Sequence, residues 1–124
     1  MSRRAGLILI LALAFASSSL ACRGTGPAPD VAAAEPERKI PGIKQAAAAR
    51  DASGLPELVD ALADDDPAVR LFAIVALEKM TGDRFGYAYY LDEEQRKPSL
   101  ARWREWLAQR QEQAGGDAAA ANAG

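Results

Sequence analysis

Asp65-Asp66-Pro67-Ala68-Val69-Arg70-Leu71-Phe72-Ala73-Ile74-Val75-Ala76-Leu77 is the stretch whose reading decides the fold class. Asp66 offers a side-chain oxygen to the free N–H groups that open a helix, and the fixed φ of Pro67 suits the first helical position. Gly82 stands just past the last apolar residue, where helices commonly close in a left-handed conformation. The spacing predicts a helix from Pro67 to about Met80. Val69, Phe72, Ala73, Ala76, Leu77 and Met80 form its main apolar stripe, while Leu71, Ile74 and Val75 make the opposite side apolar as well. Such a helix needs cover on two sides.

Upstream, Leu55, Leu58, Val59 and Leu62 fall at i, i+3, i+4 and i+7, which predicts an amphipathic helix over Leu55 to Ala63 with Pro56 tolerated in its first turn. Before it, Ile43 to about Ala52 has high helix propensity in Ala46 to Ala49 but few bulky anchors. Downstream, residues 83–91 are aromatic-rich without a clean period and read as a packed loop. Ser99 is the expected cap of a fourth helix, on which Leu100, Trp103, Trp106, Leu107 and Arg110 cluster at helical spacing. An all-α fold follows.

The Asp65 to Leu77 stretch resembles the second helix of a HEAT-type repeat, in which D-P-x-V-R leads into small and large apolar residues, and Leu55 to Ala63 resembles the first helix of the pair. Leu77 to Tyr87, followed by Arg102-Trp103-Arg104-Glu105-Trp106, is similar to the closing segment of bacterial HEAT-repeat proteins. The resemblance covers roughly Gln45 to Leu107. It implies a short HEAT-like helical hairpin of the α-solenoid type with a C-terminal capping helix, and it implies no reaction. It also implies an ion pair from Arg70 to an acid near a neighbouring turn, with Asp65 and Asp51 both eligible. Solenoid repeats bury their faces on neighbours and usually need about three units. With one clear pair, Ile43 to Ala52, the Trp helix, a partner or a second copy of the chain must cover the stack.

The amino end has the layout of a secretory signal peptide over residues 1–21: Arg3 and Arg4, then an apolar run from Gly6 to Ala16, then small residues up to Ala21. The run of about a dozen apolar residues is short of the roughly 20 a membrane-crossing helix needs. Ser19-Leu20-Ala21-Cys22 resembles the lipobox of bacterial lipoproteins, with Ser19 where that family most often has Leu. The resemblance implies diacylglyceryl attachment to Cys22 and cleavage before it. Cys22 is the sole cysteine, so no internal disulfide competes for its thiol. Acyl chains hold a protein at a membrane by about 0.8 kcal/mol per buried methylene, and more than one chain is needed for stable anchoring. Arg23 after the lipid-bearing residue resembles outer-membrane sorting more than inner-membrane retention. The expected address is the cell envelope, facing the periplasm or exterior.

Residues 22–40 are rich in Gly, Pro and Ala and are expected to be a flexible lipid-bearing linker, holding the domain roughly 20–25 Å from the membrane. Residues 41–113 are the expected helical domain, and 114–124, with Gly115-Gly116 and an Ala-rich run, an expected disordered tail. A domain of this size gains only a few kcal/mol from a single core.

Removing residues 1–21 takes away Arg3 and Arg4 and no acid, so the net charge of −2 becomes −4. That acidity, without a basic stripe, argues against nucleic acid as a partner. The chain has no histidine. Ser-His-Asp and Cys-His catalysis and the commonest zinc ligand are therefore absent, and the sequence contains no phosphate-loop or dinucleotide motif. No catalytic residue, cofactor or metal is assigned. Asp64-Asp65-Asp66 and Asp92-Glu93-Glu94 read as helix-start charges rather than metal ligands.

The expected function is a lipid-anchored interaction or scaffold module that docks on an envelope protein through Leu71, Ile74 and Val75, helped by Tyr89, Tyr90 and Trp106 off the main stripe. The alternative is a cell-wall-binding lipoprotein that uses Tyr87, Tyr89, Tyr90, Trp103 and Trp106 as a glycan platform. Trp103 with Leu107 is expected in the core.

Overall fold

The structure is a computed structural model, and it describes residues 28–124. The expected signal peptide, Cys22 and the first part of the linker lie outside the described residues. Within them the protein is all-α, with α1 (Pro36–Ala49), α2 (Leu55–Ala61), α3 (Pro67–Thr81) and α4 (Glu93–Asn122), plus a single 3-10 turn at Ala52–Gly54. α1 packs along α3, and α2 packs against both α3 and α4.

α3 forms as its sequence dictates. The Asp66 carboxylate accepts from the N–H groups of Ala68 and Val69, Pro67 starts the helix, and Gly82 closes it at φ 83°. Val69, Ala73, Ala76 and Leu77 are buried. Together with Ile43, Leu58, Val59, Leu62, Ile74, Leu100 and Trp103 they form one core, so every helix contributes to it.

α1 begins at Pro36, well inside the segment expected to be a linker, and ends at Arg50 in the left-handed region. Pro36 is tolerated because at the first helical position its missing N–H costs nothing. Ile40, Ile43 and Ala47 then lie at i, i+3 and i+7 and turn toward the core. The residues before α1 are packed too. The Asp30 N–H donates to the Arg38 carbonyl at 3.1 Å, and Ala33 is buried. This strap lies so close on α1 that a Cβ on Gly42 would stand 2.5 Å from backbone atoms of Asp30 and Val31.

α4 also starts earlier than expected. Asp92, not Ser99, is its cap: the Asp92 carboxylate accepts from the Gln95 N–H, and the Gln95 side chain accepts from the Asp92 N–H. Ser99 is buried in the second turn, where its hydroxyl donates to the Arg96 carbonyl at 2.9 Å. Residues 114–122, expected as a disordered tail, continue the helix. All side chains after Leu107 are exposed, so the high propensity of alanine sustains this end without packing, against a cost of about 1 kcal/mol for each of Gly115 and Gly116.

Candidate functional site

The residues expected to meet a partner are separated by the fold. Ile74 is fully buried. It belongs to the core and is no part of a free surface, because α1 and α2 both pack on α3. Val75, one position on, is 44% exposed, and Leu71 is half-buried.

Leu71 and Val75 do share a face. At i and i+4 they lie one turn apart, with half-buried Phe72 beside them and exposed Ala68 and Lys79 extending the row. Where this row meets α1 it borders an open groove of about 310 Å³, lined by Ile43, Lys44, Ala47, Phe72, Val75, Ala76 and Lys79. The Lys44 ammonium sits 4.4 Å from the centre of the Phe72 ring. The groove therefore has an apolar floor and a cationic border, a combination that accepts an apolar segment carrying acidic side chains. Phe72, in the main apolar stripe, packs against the core while half-buried and also lines the groove, a placement that the α1–α3 crossing decides and the period alone does not.

The aromatic residues do not assemble into a single platform. Tyr89 and Tyr90 pack edge to face at 5.5 Å, with Tyr90 73% exposed. Their loop is held at the start of α3, because the Tyr89 carbonyl accepts from Arg70 Nε at 3.0 Å. Trp106 belongs to a second group, 5.5 Å from Trp103 and 6.4 Å from Phe85, near the other end of α3, where Met80 and Trp106 line one cavity. Trp103 is fully buried, as expected, and its indole N–H donates to the Arg84 carbonyl. Tyr87 is buried and leaves any glycan surface.

Arg70 forms no ion pair with the side chain of Asp65 or Asp51. It is buried, and besides Tyr89 it donates to the carbonyls of Asp64 and Asp65 at 2.7 and 2.8 Å. Backbone oxygens between α2 and α3, which have no helical partner, take the place of the carboxylate. The acidic runs have structural work: Asp64 pairs with Lys39 at 2.5 Å, Asp66 caps α3 and Asp92 caps α4. Asp51 caps the 3-10 turn by accepting from the Ser53 N–H.

No helix among the described residues is long and apolar enough to cross a membrane. No family model, curated protein or solved structure matches the chain.

Proposed function

We propose that this protein is a lipid-anchored envelope module that docks a partner protein on the α1–α3 groove. The observation that carries the reading is the row Leu71, Phe72 and Val75, which stays partly exposed on the helix at the centre of the fold and is bordered by Lys44 and Lys79. The occupant is an amphipathic helix of an envelope protein with acidic residues flanking its apolar stripe, seated as helix-in-groove recognition requires. Burying a few aliphatic side chains supplies affinity, and the two lysines select the acidic partner. The α2–α3 pair serves as one HEAT-like unit, with α1 and α4 as the cover that neighbouring repeats give in a longer solenoid.

Anchoring rests on the signal layout and on Cys22. Because Asp30 and Val31 already pack on Gly42, the chain from Cys22 to Pro29 reaches at most about 25 Å even when fully extended. The groove is thereby held close to the bilayer, where envelope partners are concentrated.

A photo-crosslinking residue at Val75 in the full-length chain, compared with one at exposed Arg104, tests docking in cells. One envelope protein crosslinked at position 75 and not at 104, through an acidic amphipathic helix, is the expected result. A crosslink to a second copy of this chain, to lipid, or equally from both positions overturns it. Val75→Asp should abolish the crosslink from a neighbouring probe at Leu71 with the melting curve unchanged, whereas Ile74→Ala should lower stability by about 2–5 kcal/mol. For the anchor, the membrane-extracted chain should begin at Cys22 with added acyl mass and Cys22→Ser should lack it; an unacylated wild type removes that half of the reading.

A further inference from the structure

A second concavity, with no lining residue in common with the groove, lies where the C-terminal ends of α1 and α3 meet α4. It has a volume of about 350 Å³. Leu55, Met80, Phe85 and Trp106 give it apolar and aromatic walls, and Arg50, Arg110 and Asp83 bring charge to it.

Neither arginine is in an ion pair among the described residues. The ion pairs of the described residues join Arg38 to Asp30 and Glu35, Lys39 to Asp64, Arg84 to Glu78 and Lys97 to Glu94, so neither Arg50 nor Arg110 is neutralised. Arg110 lies over the Trp106 ring, 5.5 Å from its centre. Opposite charge comes from Asp83, one of whose carboxylate oxygens accepts from the Phe85 N–H at 2.7 Å. The last carbonyls of α1 and α3 add partial negative charge, as helix C-termini do.

The backbone here is unusual as well. Arg50 at φ 51° and Phe85 at φ 48° are the two non-glycine residues with positive φ among the described residues, and both line this cavity. At Arg50 this is the common left-handed close of a helix; Phe85 closes no helix, and a bulky residue rarely adopts that conformation except where the surroundings impose it. Phe85 is kept there by its N–H bond to Asp83, by Arg102 donating to its carbonyl at 3.0 Å and by edge-to-face packing on Trp103 at 4.7 Å.

From this arrangement we infer that the cavity binds a small zwitterion, a free α-amino acid with an apolar side chain. Its carboxylate meets Arg50 and Arg110, its ammonium meets Asp83 and the helix-end carbonyls, and its side chain lies on Trp106, Met80 and Leu55. A phosphate dianion suits the cavity less well, because Asp83 and two helix C-termini offset the two guanidiniums. A purely apolar ligand leaves all three charged groups unused. The volume is ample for one such molecule.

The reading is independent of docking on the α1–α3 groove, and its test does not involve that partner. The chain has two tryptophans, of which Trp103 is fully buried and Trp106 lines the cavity, so fluorescence of the full-length protein reports occupancy at Trp106. L-Leucine and D-leucine, N-acetyl-leucine, leucinamide and inorganic phosphate are the probes. At least one leucine enantiomer should give a saturable change, with N-acetyl-leucine and leucinamide each weaker by about tenfold or more, the loss expected for one charge-assisted contact. Arg50→Gln and Arg110→Gln, both at exposed positions, should weaken leucine similarly with unchanged melting, and Asp83→Asn should remove the discrimination against N-acetyl-leucine. No saturable response to either enantiomer, equal binding of N-acetyl-leucine, tighter binding of phosphate, or insensitivity to both arginine variants overturns the assignment.

Discussion

The hydroxyl of Tyr87 donates a 2.6 Å hydrogen bond to the backbone carbonyl of Leu62, both residues being buried. Leu62 follows the last residue of α2, where carbonyls have no partner further along the helix. One phenol thus ties the aromatic loop to the end of α2. Burial pushes the hydroxyl above its usual value, against the pull of Arg96 and Arg70, so it stays neutral and able to donate at ordinary pH. Tyr87→Phe keeps the ring and removes the donor. It should destabilise by about 1–2 kcal/mol, seen as a lower midpoint in urea with an unchanged slope.

Arg70 gathers the Asp64, Asp65 and Tyr89 carbonyls on one buried guanidinium. Arg70→Met fills similar space and leaves these acceptors unpaired. A loss of about 3 kcal/mol is expected, the upper end for buried unsatisfied groups. Arg70→Lys should recover only a part, because a single ammonium lacks the planar fork that reaches several carbonyls in fixed directions. Chemical denaturation of the three proteins tests both statements.

Gly42 is the position at which the strap from Asp30 to Val31 touches α1. Alanine has the better helix propensity, and at an open site Gly42→Ala would stabilise. Here the added methyl meets backbone, so the substitution should cost about 1–3 kcal/mol and lower the melting temperature. Amide exchange should accelerate at Asp30, whose N–H bonds to Arg38, before it does in α3.

Asp64 and Lys39 form a part-buried pair at 2.5 Å. Burial alone would raise the Asp64 value, but the Lys39 hydrogen bond, the Asp66 N–H and the charges of Lys39 and Arg70 outweigh it and hold the carboxyl below its ordinary 3.8. A carboxyl depressed on folding contributes stability that is complete above its unfolded value and fades as pH falls through the folded one. Wild type should therefore exceed Asp64→Asn in stability at pH 6, and the gap should close as pH falls below about 3.8. A gap independent of pH would mean that packing, not charge, carries the effect.

Local rules in the sequence determined α3 and the all-α class. Asp66, Pro67 and Gly82 act within a few residues of themselves, so their cap, start and stop hold wherever the helix is placed. The Asp92 and Gln95 box that opens α4 is equally local; Ser99 was a competing cap signal, and it lost because its own site was already inside a helix. Tertiary structure alone decided which apolar residues are covered. Ile74 and Val75 are adjacent and chemically alike, and only the crossing of α1 and α2 over α3 buries one and leaves the other at a groove. The same holds for Arg70, which joins two carbonyls of the turn before α3 to that of Tyr89, 19 residues on, and for Gly42, whose reason is a strap that local propensity cannot foresee. Phe85 goes further, adopting left-handed backbone against its intrinsic preference. Periodicity reports which side of a helix is apolar; what lies against that side is set by contacts far apart in the chain.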